Sequence, residues 1–179
     1  GLLVAIYDIY GNTEMIMFER LNPAALVGAI NELKPDCISV VPSLLTTLMK
    51  KIQAGINDQP MKKLLVNSLL GFCGFMRENF GLNLGRKLLK FLNKKAFGGN
   101  LIEFRIGGSP CDEATMRFFL NMGIDVNLAY GLTELGAPLA ATGRGYYPGG
   151  TGKVLRHRDD LDIRIVNPDE RGRGEVEVL

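Results

Sequence analysis

Residues 101–134 read LIEFRIGGSPCDEATMRFFLNMGIDVNLAYGLTE, and the alternation inside them sets the architecture of the whole chain. Leu101 to Ile106 is a short β-prone run that stops on two glycines. Ser109-Pro110 then opens a helix through CDEATMRFFLNM, since serine can accept an orphan amide and proline suits the first helical position. Gly123 closes that helix, IDVNLA returns to strand, and Tyr130-Gly131-Leu132-Thr133-Glu134 follows just past its C-terminal end. Strand, helix, strand in this rhythm implies parallel pairing with a right-handed crossover.

The same rhythm continues on both sides. Upstream, Leu2 to Ile9 is a continuous apolar run of strand length, as expected of a strand covered on both faces. Asn22-Pro23 starts a helix to about Leu33, and Asp36 to Pro42 supplies another buried strand. Ser43 is placed to cap the next helix and Gly55 to end it. From Asn57 to Lys95 the pattern is helical, broken between Gly81 and Gly85. Downstream of Gly143 the chain becomes glycine-rich, and LDIRIV and EVEVL flank NPDERGRG as an antiparallel hairpin. The expected fold is therefore α/β, a parallel sheet flanked by helices over residues 1–142, followed at 143–179 by the start of a small antiparallel β lobe. The first and last residues fall inside strand-like runs, so the chain reads as an internal fragment of a longer protein.

Composition narrows the class. The chain has 179 residues and is 46% hydrophobic, enough for a core of its own. No apolar run approaches the roughly 20 residues needed to cross a bilayer. Cys37, Cys73 and Cys111 form no CxxC pair, which argues against a disulfide framework or a thiolate zinc site, and a reducing cytoplasm is the expected location. His157 is the only histidine, set between two arginines as a solvated side chain. It rules out His-rich metal sites and leaves a Ser/His/Asp triad with a single possible base. Charge is uneven: Lys50 to Arg105 holds eleven basic residues against Asp58, Glu78 and Glu103, a net of +8 in a chain whose total is +2.

Open parallel sheets bind ligands in the crevice beyond their strand C-terminal ends, and GGSP and YGLTE both fall there. Gly107 and Gly108 leave backbone bare for a flat ring to lie against. Tyr130 offers a face for stacking and Gly131 close approach. Thr133 offers a hydroxyl to a phosphate oxygen, and Glu134 a hard oxygen to Mg²⁺. These groups form a plausible wall from adenine to phosphate.

Taken together, GGSPCDEATMRFF, GIDVNLAYGLTE and YPGGTGKVL resemble the adenylate-forming, AMP-binding acyl-CoA synthetase superfamily, and most of all its long-chain fatty acyl-CoA ligases. The resemblance covers most of the chain and is strongest from Leu101 to Leu155. It implies an enzyme that makes an acyl-adenylate from a carboxylic acid and ATP with Mg²⁺, then passes the acyl group to CoA. It further implies that Gly107, Gly108, Ser109 and Pro110 line the adenine pocket and that Tyr130 stacks on the base. Gly131 and Leu132 would shape the acyl-adenylate site, Thr133 would meet the α-phosphate, and Glu134 would help hold Mg²⁺. GGTGK resembles the family's GxxGK turn, with Lys153 supporting the loop.

A complete member also has an upstream phosphate loop ending in lysine, a downstream Gly-Asp pair for the ribose and a C-terminal catalytic lysine. These motifs are missing from the 179 residues, so the fragment is expected to be inactive by itself although its parent is an acid–CoA ligase. The nucleotide motifs are shared with aryl-CoA ligases and amino-acid adenylation domains; the long helical stretch between Gly55 and Gly99 favours a fatty acid through the resemblance alone. A second reading, a non-catalytic lipid- or membrane-binding module, rests on the basic block. In GRKLLKFLNKKAF, residues 85–97, Lys87, Lys90 and Lys94 share a stripe beside Leu88, Leu89, Phe91 and Leu92, a candidate peripheral membrane contact set against ordinary packing on the sheet. FCGFM, Phe72 to Met76, reads as core packing. The basic block contains no recognisable nucleic-acid motif, so no nucleic acid partner is expected.

Overall fold

The computed structural model describes residues 30, 32–57, 60–132, 138–142, 148, 150–154 and 163–178. The strand expected at Leu2 to Ile9, most of the helix expected from Pro23, and His157 lie outside the described residues. Ile30, Glu32 and Leu33 are helical, and Lys34, at φ 47°, ends that helix by donating its amide to the Ile30 carbonyl at 3.0 Å.

Strand β1 spans Cys37–Val40 and leads directly into helix α1, Pro42–Asn57. Both expected ends of α1 are corrected. The Val41 carbonyl accepts from Leu44 and Leu45 at 3.1 and 3.2 Å, so Pro42 is the first helical residue and Ser43 lies inside the first turn instead of capping it. The helix also runs through Gly55. Leu45, Met49 and Ile56 are all buried on one stripe, and docking Ile56 outweighs the roughly 1 kcal/mol that a helical glycine costs.

Helix α2, Pro60–Phe80, buries Val66, Leu70, Cys73 and Arg77 along one face. It ends at Gly81, at φ +67°, whose amide reaches the Arg77 carbonyl at 3.1 Å, the bond of an αL close, while Leu82 reaches the Met76 carbonyl at 3.3 Å. Phe72 and Phe75 are exposed, so FCGFM is only half core: Cys73 is buried, and the two rings point away from it. The expected helix over residues 85–97 is two pieces, α3 (Gly85–Leu88) and α4 (Lys90–Phe97). They part at Leu89 (φ −106°, ψ 17°), whose side chain is fully buried. Leu92 is buried too, leaving Leu88 and Phe91 as the exposed apolar residues there.

Strand β2 (Glu103–Gly107), helix α5 (Glu113–Asn121) and strand β3 (Asp125–Gly131) form the expected parallel unit. β4 (Pro138–Ala141) and β5 (Lys153–Val154) complete a five-stranded sheet in the order β1-β2-β3-β4-β5. β1, β2 and β3 are parallel; β4 and β5 add antiparallel pairs. β5 follows Gly143, where the sequence changes character, yet it belongs to this first sheet. The separate two-stranded hairpin comprises β6 (Ile163–Val166) and β7 (Glu175–Val178). Arg164 faces Glu177 across it, with Nε 2.6 Å from the carboxylate. In its turn, Asp169 accepts from the Arg173 and Arg171 amides, and the Arg173 amide leads in holding its carboxyl below the usual range.

One cluster of buried side chains joins the described helices to one face of the sheet. Phe104 of β2 sits at its centre, with ring centroids 5.5 Å from Phe97 of α4 and 5.0 Å from Phe119 of α5. Edge-to-face pairs of this kind add about 0.5–1.5 kcal/mol each beyond burial. The opposite face of β2 and β3 is polar and half-buried, with Glu103 accepting from Arg105 and Asn127 at 3.2 and 3.4 Å. α3 meets the corner between α5 and β3 backbone to backbone. A Cβ on Gly123, at φ +87°, would fall 2.1 Å from the Arg86 amide nitrogen. Asp125 there pairs with both Arg77 and Arg86, and Arg77 also donates to the Leu120 carbonyl at 2.8 Å.

Candidate nucleotide site

The site lies where β2 and β3 end side by side. Their register pairs Gly107 with Ala129, so the Gly107-Gly108-Ser109-Pro110 turn leaves the sheet next to Tyr130 and Gly131. Twenty-two positions separate Gly108 from Tyr130 in sequence; parallel pairing removes that separation.

Each strand end has a local cause. β2 stops because Gly108 adopts φ +84°, a conformation that side chains resist. No heavy atom lies within 4 Å of where a Cβ on Gly108 would stand, so the backbone here is bare and open. Gly107 is tighter: its absent Cβ would sit 3.3 Å from the Ala129 carbonyl oxygen. The following helix does not begin at Ser109-Pro110 as expected. Asp112 is its cap, accepting from the Thr115 amide at 3.0 Å and the Thr115 hydroxyl at 3.2 Å. Aspartate and serine have similar capping strength, and the SPCD spelling left both available. Ser109 and Pro110 are thereby freed to be an exposed turn at the strand end.

β3 runs two residues further than expected. Tyr130 and Gly131 are its last residues, opposite Ala140 and Pro138 of β4, with the register shifting between them. Such an irregularity redirects the strand at its tip. Tyr130 is 37% and Leu132 39% exposed, so the ring and the following side chain stand in solvent at the rim. Thr142, missed by sequence reasoning, locks this hairpin. Its buried hydroxyl accepts from the Leu128 amide at 3.0 Å and donates to the Val126 carbonyl at 3.1 Å. Cys111, beside the turn, is no nucleophile: burial first, then the Asp112 charge, push its thiol up to about 11.

Of the residues expected to form the site, the described ones converge. Gly107, Gly108, Ser109 and Pro110 leave β2 beside Tyr130, Gly131 and Leu132, which leave β3. Thr133 and Glu134 lie outside the described residues. Among the described residues no group of three or more His, Cys, Asp or Glu is placed to hold a metal ion, so the Mg²⁺ expectation rests on Glu134. Bare glycine backbone beside an exposed aromatic ring suits a flat heterocycle, with the backbone supplying directional hydrogen bonds and the ring a stacking face.

Several solved structures share the fold. The N-terminal domain of FACL13 from Mycobacterium tuberculosis, inhibitor-bound, aligns over 99% of this chain and 36% of its own, at 17% identity and TM-score 0.57. The o-succinylbenzoate CoA synthetase MenE of Bacillus subtilis, in complex with its acyl-adenylate, aligns over 99% and 29%, at 17% identity and TM-score 0.56. The anthranilate CoA ligase AuaEII with anthranoyl-AMP aligns over 93% and 26%, at 12% identity and TM-score 0.56. The chain thus spans between about a quarter and just over a third of the length of these proteins. No curated protein matches it by sequence. Residues 4–178 match the sequence model of the family described as AMP-binding enzyme, and with nearly its whole length so matched the chain belongs to that family.

Proposed function

We propose that this chain is the nucleotide-site portion of an ATP-dependent acid–CoA ligase. The observation that carries the reading is the registered pairing of Gly107 with Ala129, which brings the GGSP turn and the Tyr130 rim together at the C-terminal ends of β2 and β3. In this reading ATP is a substrate. Its adenine rests on the Gly107-Gly108 backbone and stacks on Tyr130, while Ser109 and Pro110 close the turn beside it. Gly131 and Leu132 border the acyl-adenylate, Thr133 donates to the α-phosphate, and Glu134 would help hold a Mg²⁺, which would offset charge on the phosphates. A carboxylate oxygen of the acid attacks the α-phosphorus and pyrophosphate leaves. The CoA thiol then attacks the acyl carbon and AMP leaves. The protein's part is to position and to neutralise charge. The resemblance to long-chain ligases supports a fatty acid as substrate, and the likeness to AuaEII and MenE keeps aromatic acids as the second reading.

The test is pyrophosphate–ATP exchange by the parent ligase that carries this portion, since the portion by itself is expected to be inactive, with a panel of acids: a long-chain fatty acid, benzoate and an amino acid. Exchange that requires the fatty acid is expected, and Glu134→Gln lowers it about a hundredfold or more. Exchange with benzoate alone moves the substrate to the aromatic class. Exchange with no acid refutes the ligase reading, and unchanged exchange in Glu134→Gln withdraws that residue.

A further inference from the structure

Helix α2 is apolar on two opposite faces. Val66, Leu70 and Cys73 are buried in the core, whereas Met61, Leu64, Leu65, Phe72 and Phe75 lie within an arc of about 100° on the other side, along about 21 Å of helix. Their exposure is large: Met61 88%, Leu64 72%, Leu65 59% and Phe75 57%. A contiguous exposed apolar face of this size marks an interaction surface, so it calls for an occupant. The Phe75 and Phe80 rings meet at 6.1 Å and extend the apolar surface to the connection with α3, where Leu82 is also exposed.

Charge selects the occupant. Lys62 and Lys63 begin α2, and Lys87, Lys90, Lys94 and Lys95 follow on α3 and α4. All six are exposed, and none makes an ion pair among the described residues. The single carboxylate on these three helices, Glu78, already faces Arg117 at 3.5 Å. A second copy of this face would set lysines against lysines. We propose that the outer face of α2, in a stretch of three helices whose six exposed lysines face a single carboxylate in the charge balance, docks on an anionic phospholipid bilayer: the leucines and phenylalanines enter the headgroup boundary, and lysines beside the face, Lys62 foremost, meet lipid phosphates. This moves the contact expected at residues 85–97, half of whose apolar residues are buried, onto α2. No described helix is long and apolar enough to cross a membrane, so the docking is peripheral. It holds whichever acid the enzyme activates.

The experiment is flotation of the full chain with vesicles of phosphatidylcholine alone and of phosphatidylcholine with phosphatidylserine, at low and high salt, with sedimentation velocity on the same protein. Binding to the phosphatidylserine vesicles that salt weakens is expected. Phe72→Ser with Phe75→Ser should lower it about tenfold or more, and Lys62→Ser with Lys63→Ser about fivefold, through Lys62 beside the apolar arc, with unchanged circular dichroism. Absence of binding at low salt overturns the proposal, as does binding indifferent to both variant pairs. A dimer that Phe72→Ser with Phe75→Ser dissolves gives the face to a second copy. If that pair unfolds the protein, the face is internal to the full chain, and vesicle binding that also ignores the lysine pair refutes the proposal independently.

Discussion

Gly123→Ala should be among the most damaging single-methyl changes in the chain. Two costs combine there. Holding φ +87° with a side chain costs about 1–2 kcal/mol. The new methyl would also stand 2.1 Å from the Arg86 nitrogen and 2.6 Å from its Cα, both backbone atoms that no rotamer change can move. Displacing α3 from the α5–β3 corner costs about 1–3 kcal/mol more, the range for an overpacked core. The sum is about 2–5 kcal/mol. Gly108→Ala isolates the first cost, since its φ is +84° and nothing lies within 4 Å of the added carbon; about 1–2 kcal/mol is expected. Gly55→Ala carries neither cost, being a helical position with open space, and should stabilise by about 0.5–1 kcal/mol. Urea unfolding followed by circular dichroism, with equal m-values, ranks the three. A Gly123→Ala loss no larger than that of Gly108→Ala would refute the argument that α3 and the corner are in backbone contact.

Phe104→Ala should cost about 3–5 kcal/mol in the same assay, because it empties the centre of the ring cluster and the rings on α4 and α5 cannot both collapse onto β2. Thr142→Val keeps the shape but leaves the buried Leu128 amide without its hydroxyl; a loss of about 1–3 kcal/mol and faster hydrogen exchange at Leu128 are expected. Cys111 links stability to alkaline pH. Its folded thiol titrates at about 11, above the ordinary 9.0, so the unfolded chain releases that proton first, and the thiol's contribution, complete below pH 9, is lost as pH rises to about 11. Cys111→Ser should flatten the stability profile across that window, and identical slopes for the two proteins would contradict the assignment.

Much of this fold is legible in the chain because the signals are local. The end of β2 follows from an apolar run meeting glycine, whereas β3 runs two residues past the run that marks it, and parallel pairing follows from the helix between them. What the chain hides is decided by tertiary choice. Ser109, Pro110 and Asp112 all offer helix starts, and burial of Thr115 under Asp112 selects the last. Gly55 is a stop signal that Ile56 overrides by reaching the core. Strands β4 and β5 are too short to show a period of two, and the Thr142 hydroxyl just past β4, rather than any run of residues, ties β4 to β3. Phe72 and Phe75 look like core by type, and only the helix's rotation about its axis shows that Cys73 takes that place.

The nucleotide site itself is open to one titration: AMP and a non-hydrolysable acyl-adenylate analogue into the full chain, wild type and Tyr130→Ala, by isothermal calorimetry. Tyr130 is exposed, so its loss should leave the fold intact while removing a stacking contact of about 1–3 kcal/mol, a weakening of roughly fivefold to a hundredfold. Affinity for both ligands that Tyr130→Ala leaves unchanged would place the nucleotide elsewhere and contradict the site at the β2 and β3 ends.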